Sequence, residues 1–156
     1  MGDIVSTRNI GSLGLMKRLS ANATATAAST GDSTTTTGTT IDRAAFQNSM
    51  PVSMVLGVAW EATLATSKTL SIGYAVQTSD DNSSWTDYQT ATYAVVATGS
   101  TAASALTGEF TANVNLTSAR RYVRANFAVD LSATQTDTAA ARAMGFFGGF
   151  DRHIAA

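Results

Sequence analysis

From Thr40 onward apolar side chains recur at every second position, a period that suits half-buried strands and excludes most alternatives. In "VSMVLGVAW", Val52, Met54, Leu56, Val58 and Trp60 share one face, and Ser53, Val55, Gly57 and Ala59 the other. "TLSIGYAVQT" sets Leu70, Ile72, Tyr74 and Val76 against Ser71, Gly73, Ala75 and Gln77. In "LTGEFTANVNLT", Leu106, Phe110, Ala112, Val114 and Leu116 point inward, while Thr107, Glu109, Thr111, Asn113 and Asn115 point outward. "RRYVRANFAVDL" places Val123, Ala125, Phe127, Val129 and Leu131 opposite Arg120, Tyr122, Arg124 and Asn126. Shorter strands are expected at Trp85–Tyr88, Ala91–Ala97 and Ala139–Phe147. A helix competes only in "TDTAAARAMGFF", where alanine favours it. Pro51 stands where a strand begins, the place where a missing N–H costs least. The expectation is an all-β fold, an antiparallel β-sandwich or jelly roll of about seven to eight strands with an extended N-terminal arm.

The arm is residues 1–40, the sandwich 41–150, and 151–156 a C-terminal tail. "SANATATAASTGDSTTTTGTT" (residues 20–40) holds no large apolar residue, so alone it cannot offset its own ordering entropy. It is expected either to be disordered or to lie extended along a neighbouring subunit, threonine favouring strands. Ile10, Leu13, Leu15, Met16 and Leu19 would anchor it, with a short helix over Leu13–Leu19 as the alternative.

Charged residues make up 13% of the chain and the net charge is −1, where an average soluble protein has roughly 25% charged residues. Ala, Thr and Ser fill 69 of the 156 positions. Such a surface is poorly protected against association, which favours a protein whose faces are covered in an assembly. There is no global pull toward nucleic acid or an anionic membrane. No apolar run is long enough for a membrane helix. The opening stretch lacks a signal-peptide core, so synthesis in the cytoplasm without standard export is expected. Cysteine is absent, which removes disulfides and thiolate metal sites.

Chemistry-bearing constellations are sparse. His153 is the sole histidine and Glu61 and Glu109 the only glutamates. No His-centred triad or flanking carboxylate pair emerges, so no catalytic residue, cofactor or metal ligand is assigned and the chain is expected not to be an enzyme. "SDDNSSWTDY" (Ser79–Tyr88) offers Asp80, Asn82 and Ser84 at EF-hand positions one, three and five. The sixth position is Trp85 instead of glycine and the twelfth is Ala91 instead of glutamate, so that motif fails. A looser metal site within Asp80–Asp87 stays open beside the simpler β-turn, after which Trp85 would resume a strand and pack inward. Arg120, Arg121 and Arg124 with Tyr122 suit ion pairing and interface contact better than nucleic acid. Leu13, Leu15, Met16, Tyr122, Arg120 and Arg124 are therefore the candidate interface residues.

"GTTIDRAAFQNSMPVSMVLGVAWEA" followed by "TLSIGYAVQTSDDNSSWTDY" resembles small head-associated structural proteins of tailed bacteriophages. The matching positions are Gly38, Ile41, Asp42, Phe46, Ser79, Asp80, Asp81, Ser84, Trp85, Thr86 and Asp87, and "RRYVRANF" is similar to their late strand. The resemblance spans residues 38–150. It implies a capsid decoration (cement) protein on the exterior of the virion head. Its partners would be the major capsid protein of a phage head and further copies of itself, most simply as a trimer. Two other functions remain open: a tail or head–tail connector subunit, and a carbohydrate-binding sandwich using Trp85 and Tyr88.

Overall fold

The computed structural model describes residues 14–46, 50–100, 104–132 and 136–149. Ten strands run in chain order: β1 (Gly14–Arg18), β2 (Ala23–Thr26), β3 (Thr35–Thr36), β4 (Ile41–Asp42), β5 (Ser53–Leu64), β6 (Thr69–Ser79), β7 (Thr86–Thr98), β8 (Ser104–Asn115), β9 (Tyr122–Leu131) and β10 (Thr138–Gly148). Among the described residues a 3-10 turn, Arg43–Ala45, follows β4; the Ala44 amide donates to the Asp42 carboxylate, which caps the turn.

The strands form two five-stranded antiparallel sheets. In the first, β1 and β2 lie in succession along one edge of β10, and β5 and β8 follow on its other side. In the second, β3 and β4 lie along one edge of β9, followed by β6 and β7. This is the antiparallel sandwich that the period-two pattern predicts.

The inner faces interdigitate as the alternation requires. Met54, Leu56, Val58 and Leu64 of β5 are buried with Leu70, Ile72 and Val76 of β6, and with Val123, Phe127, Val129 and Leu131 of β9. Each large side chain removed from water is worth about 1.5–3 kcal/mol, so this layer dominates the folding energy. Along β10 the inward residues are mostly small (Ala139, Ala141 and Ala143, then Phe147), and all are buried. "TDTAAARAMGFF" is therefore strand: β5 on one side and β1 and β2 on the other satisfy its main chain.

Three expectations need correction. The stretch read as an arm is, from Gly14 on, part of both sheets. The Leu13–Leu19 helix is replaced by β1, while Leu13 itself lies outside the described residues. Residues 20–40 do lack large apolar groups, but they borrow stability from the open edges of β10 and β9 through main-chain hydrogen bonds. Between β1 and β2 the Leu19 amide donates to the Ala143 carbonyl at 3.0 Å, and the Ala143 amide donates to Ser20 Oγ at 3.0 Å, which continues the pairing through a side chain. Gly38 then passes so close to β9 that a Cβ would sit 2.0 Å from the Ala125 carbonyl oxygen.

The second correction concerns β7. The two strands expected at Trp85–Tyr88 and Ala91–Ala97 are one strand, whose pairing with β6 shifts register three times. Bulges of this kind hide an edge strand from simple period-two reading. The third is Trp85, which precedes β7 and is only half-buried instead of packing inward.

Candidate interaction surfaces

The acidic turn between β6 and β7 is built by its own side chains. Asp81 accepts hydrogen bonds from the amides of Ser83 (2.9 Å) and Ser84 (2.8 Å) and from the hydroxyls of Ser79 (2.9 Å) and Ser84 (3.1 Å). The Ser84 amide above all, then Ser83 and Ser79, holds its carboxyl well below the usual carboxylate range. Asn82 takes a left-handed conformation (φ 60°) at the tip, one that asparagine tolerates better than most residues. Both Asp81 oxygens thus serve the turn, and Asp80 pairs with Arg120 at 3.2 Å. Among the described residues no three His, Cys, Asp or Glu side chains converge as a metal site.

Beside the turn a polar network covers the outer face of β9 and β6. The Arg124 guanidinium lies 4.2 Å above the Trp85 ring, a cation–π contact that explains why the indole stays outside. Arg124 Nε donates to Gln77 Oε1 at 2.8 Å, Asn126 Nδ2 donates to the same oxygen at 3.0 Å, and Gln77 Nε2 donates to Asp87 at 2.8 Å. Asn126, expected to face solvent, is buried, because the Gly38 amide donates to its side-chain oxygen at 3.2 Å. Below Arg120, Arg121 grips Asp42 through two hydrogen bonds of 3.0 and 2.8 Å. That contact holds the Asp42 carboxyl below its ordinary value and raises the guanidinium. The Arg121 guanidinium also lies 5.0 Å from the centre of the Tyr122 ring.

The structure therefore gathers Arg120, Tyr122 and Arg124 at one end of the second sheet. Leu15 and Met16 sit elsewhere, on the edge of the first sheet, 44% and 58% exposed. As adjacent strand residues they point to opposite faces.

Sequence reasoning missed two groups. Arg43 is 2% exposed, yet among the described residues no carboxylate pairs with it; its guanidinium donates to the carbonyls of Pro51, Leu116, Ala119 and Arg120. Burial pulls its pKa down from the ordinary value. It clamps the 3-10 turn to the β8–β9 connection, and carbonyl partners so distant in sequence leave no motif. The second group is the apolar pair Met144 and Phe146 on the outer face of β10. Their signal was present: in "ARAMGFFG" apolar residues occupy both parities of the strand.

The outward side chains along β5 and β6 are small and uncharged over several residues. On β5 they are Ser53, Val55, Gly57 and Ala59; on β6, Ser71, Gly73 and Ala75, with the Tyr93 ring lying over Gly73. Two shallow depressions of about 440 and 410 Å³ adjoin on the first sheet, sharing Thr24, Glu61, Thr107 and Ala140.

No family model and no curated protein matches the chain. Among solved structures it is similar to the PBSX exported protein XepA (17% identity, TM-score 0.46), over 91% of this chain and 39% of that one. It is also similar to a chain of infectious bursal disease virus, Gt strain (13% identity, TM-score 0.43), over 86% of this chain and 32% of that one. A VP2 protein of the same virus matches at 11% identity and TM-score 0.42, over 86% of this chain and 31% of that one.

Proposed function

We propose that this protein is a structural component of a tailed-phage virion, bound to the outside of the head and stabilising the assembled shell. One observation carries the proposal: the outward side chains of β5 from Ser53 to Ala59 and of β6 from Ser71 to Ala75 are small and carry no charge, where a solvated strand would carry Lys, Glu and Arg. The resemblance at Gly38–Phe46 and Ser79–Asp87 points the same way. The partner is the major capsid protein, met by a homo-oligomer of this chain. A subunit that binds only the assembled shell stabilises that state by mass action, and an oligomer gripping several shell subunits adds effective concentration.

The test is to add purified protein to undecorated heads and measure binding and thermal rupture. Saturable binding with a raised rupture temperature is expected. Heads that neither bind the protein nor gain resistance would refute the proposal, and binding confined to tails would favour a tail or connector subunit. Sugar binding through Trp85 finds less support, because Arg124 already occupies a face of the ring.

A further inference from the structure

We infer that the outer face of the β1–β10–β5–β8 sheet is a two-fold contact surface for a second copy of this chain. Residues directly opposite in an antiparallel ladder share a face, so the register maps this surface row by row. One row is Met16–Phe146–Val55–Asn113 and the next is Arg18–Met144–Gly57–Thr111. Met16, Met144 and Val55 are 58%, 44% and 38% exposed, and Phe146 is half-buried among them. These four form one contiguous apolar patch reaching from the β1 edge across β10 to β5, with two methionines able to adapt to a partner.

Charge selects the occupant. The next rows are Arg142–Ala59–Glu109 and Ala140–Glu61–Thr107. Both arginines, Arg18 and Arg142, stand on the β1–β10 half, and both glutamates, Glu61 and Glu109, on the β5–β8 half. Arg142 and Glu109 stand two strands apart, roughly 10 Å. The ion pairs among the described residues involve none of these four.

A second copy stacked face to face, about a two-fold axis parallel to the strands between β10 and β5, lays each basic half over the partner's acidic half. Phe146 then meets Val55 of the other copy across the axis, Arg18 comes over the partner's Thr111, one row from Glu109, and Arg142 comes over the partner's Ala59, flanked by Glu61 and Glu109. An axis across the strands would instead keep the two basic halves together. The charge pattern is thus self-complementary for one two-fold arrangement, and that arrangement is the aligned mode in which twisted sheets stack. β10, β5 and β8 over ten residues, with β1 and β2 in succession along the edge, offer roughly 19 Å by 34 Å, about 650 Å², at the low end of the roughly 600–1,000 Å² per partner of a stable interface. The contact is two-fold, so it gives a dimer and not the trimer that the phage resemblance implies.

The test uses the isolated protein, so its failure is separate from failure of the shell-binding proposal. Sedimentation equilibrium over a concentration series should show a monomer–dimer equilibrium. Met144→Glu, at an exposed position and checked for folding by near-UV circular dichroism, should weaken dimerisation by about tenfold or more. Arg142→Glu and Glu109→Arg should each weaken it, and the two together should restore it. A monomer at every concentration, a trimer insensitive to Met144→Glu, or a double swap no better than either single swap would each overturn the inference.

Discussion

Replacing Arg43 by methionine keeps most of the volume and removes every hydrogen bond the guanidinium makes. Two bonds to Pro51 O (3.1 and 2.7 Å), one to Leu116 O (2.8 Å), one to Arg120 O (3.0 Å) and one to Ala119 O are lost. Leu116 O keeps the Ala119 amide at 3.0 Å, which leaves the carbonyls of Pro51, Ala119 and Arg120 to find new donors. A buried group left unpaired costs about 1–3 kcal/mol, so three span about 3–9 kcal/mol. Water can reach the partly buried pair at Ala119 and Arg120, and the variant no longer buries a charge, which offsets part of the loss. The expected net destabilisation is about 3–4 kcal/mol, a large share of the roughly 5–15 kcal/mol that holds a domain together. Urea unfolding followed by tryptophan fluorescence reads this as a midpoint lowered by about 1.5–2 M at unchanged slope. Arg43→Lys should lose more than half as much, since one ammonium cannot span carbonyls on several sides. A methionine variant within about 1 kcal/mol of the parent would show that these carbonyls are solvated anyway and that the clamp is incidental.

Three further outcomes follow from single sites. Asp81 has a depressed folded-state pKa, so its contribution is present above the unfolded carboxylate value near 3.9 and is lost only as pH falls through the lower folded value. The Ser83 and Ser84 amide resonances should stay fixed from pH 7 to about 4, and a titration centred near 4 would contradict the geometry. Gly38→Ala drives a Cβ into the Ala125 carbonyl, whereas Gly73→Ala meets only the outer end of the Tyr93 ring, itself 52% exposed and free to swing away. Thermal melts should therefore show Gly38→Ala far more damaging, and equal effects would refute that contrast. Arg124→Ala uncovers Trp85 and should cost about 0.5–1 kcal/mol while making its emission more quenchable by acrylamide; unchanged quenching would mean that the stacked pair does not persist in solution.

Much of the sandwich is legible in the sequence because its central strands set their large apolar side chains on one face. Met54 to Trp60, Leu70 to Val76 and Val123 to Leu131 sit where alternation puts them, and a slip by one residue would expose them all. Where main-chain bonds or long-range partners decide, the pattern is silent. Residues 20–40 hold no large apolar residue, yet their ladder partners on β10 and β9 hold them. β7 loses its alternation to three register shifts. Trp85 is placed by Arg124, which is remote in sequence. The candidate surfaces divide in the same way. Val55 is visible on an outward parity, whereas its continuity with Met16 and Met144 exists only once the register of three strands is known.

The edge strands also set a timetable. The Ser20 hydroxyl and the Ala143 amide that meet across the first sheet are separated by 123 residues of chain. Residues emerging early from the ribosome must therefore wait for β9 and β10 before they have anything to pair with. Closing so long a loop places the step late and makes folding slow, in the range typical of sandwiches built from distant contacts. A waiting segment rich in large apolar groups would recruit other nascent chains. One made of alanine, threonine, serine and glycine stays unattractive until its edges are ready. The composition that makes residues 20–40 look structureless thus suits them to be the last seam of the sandwich to close.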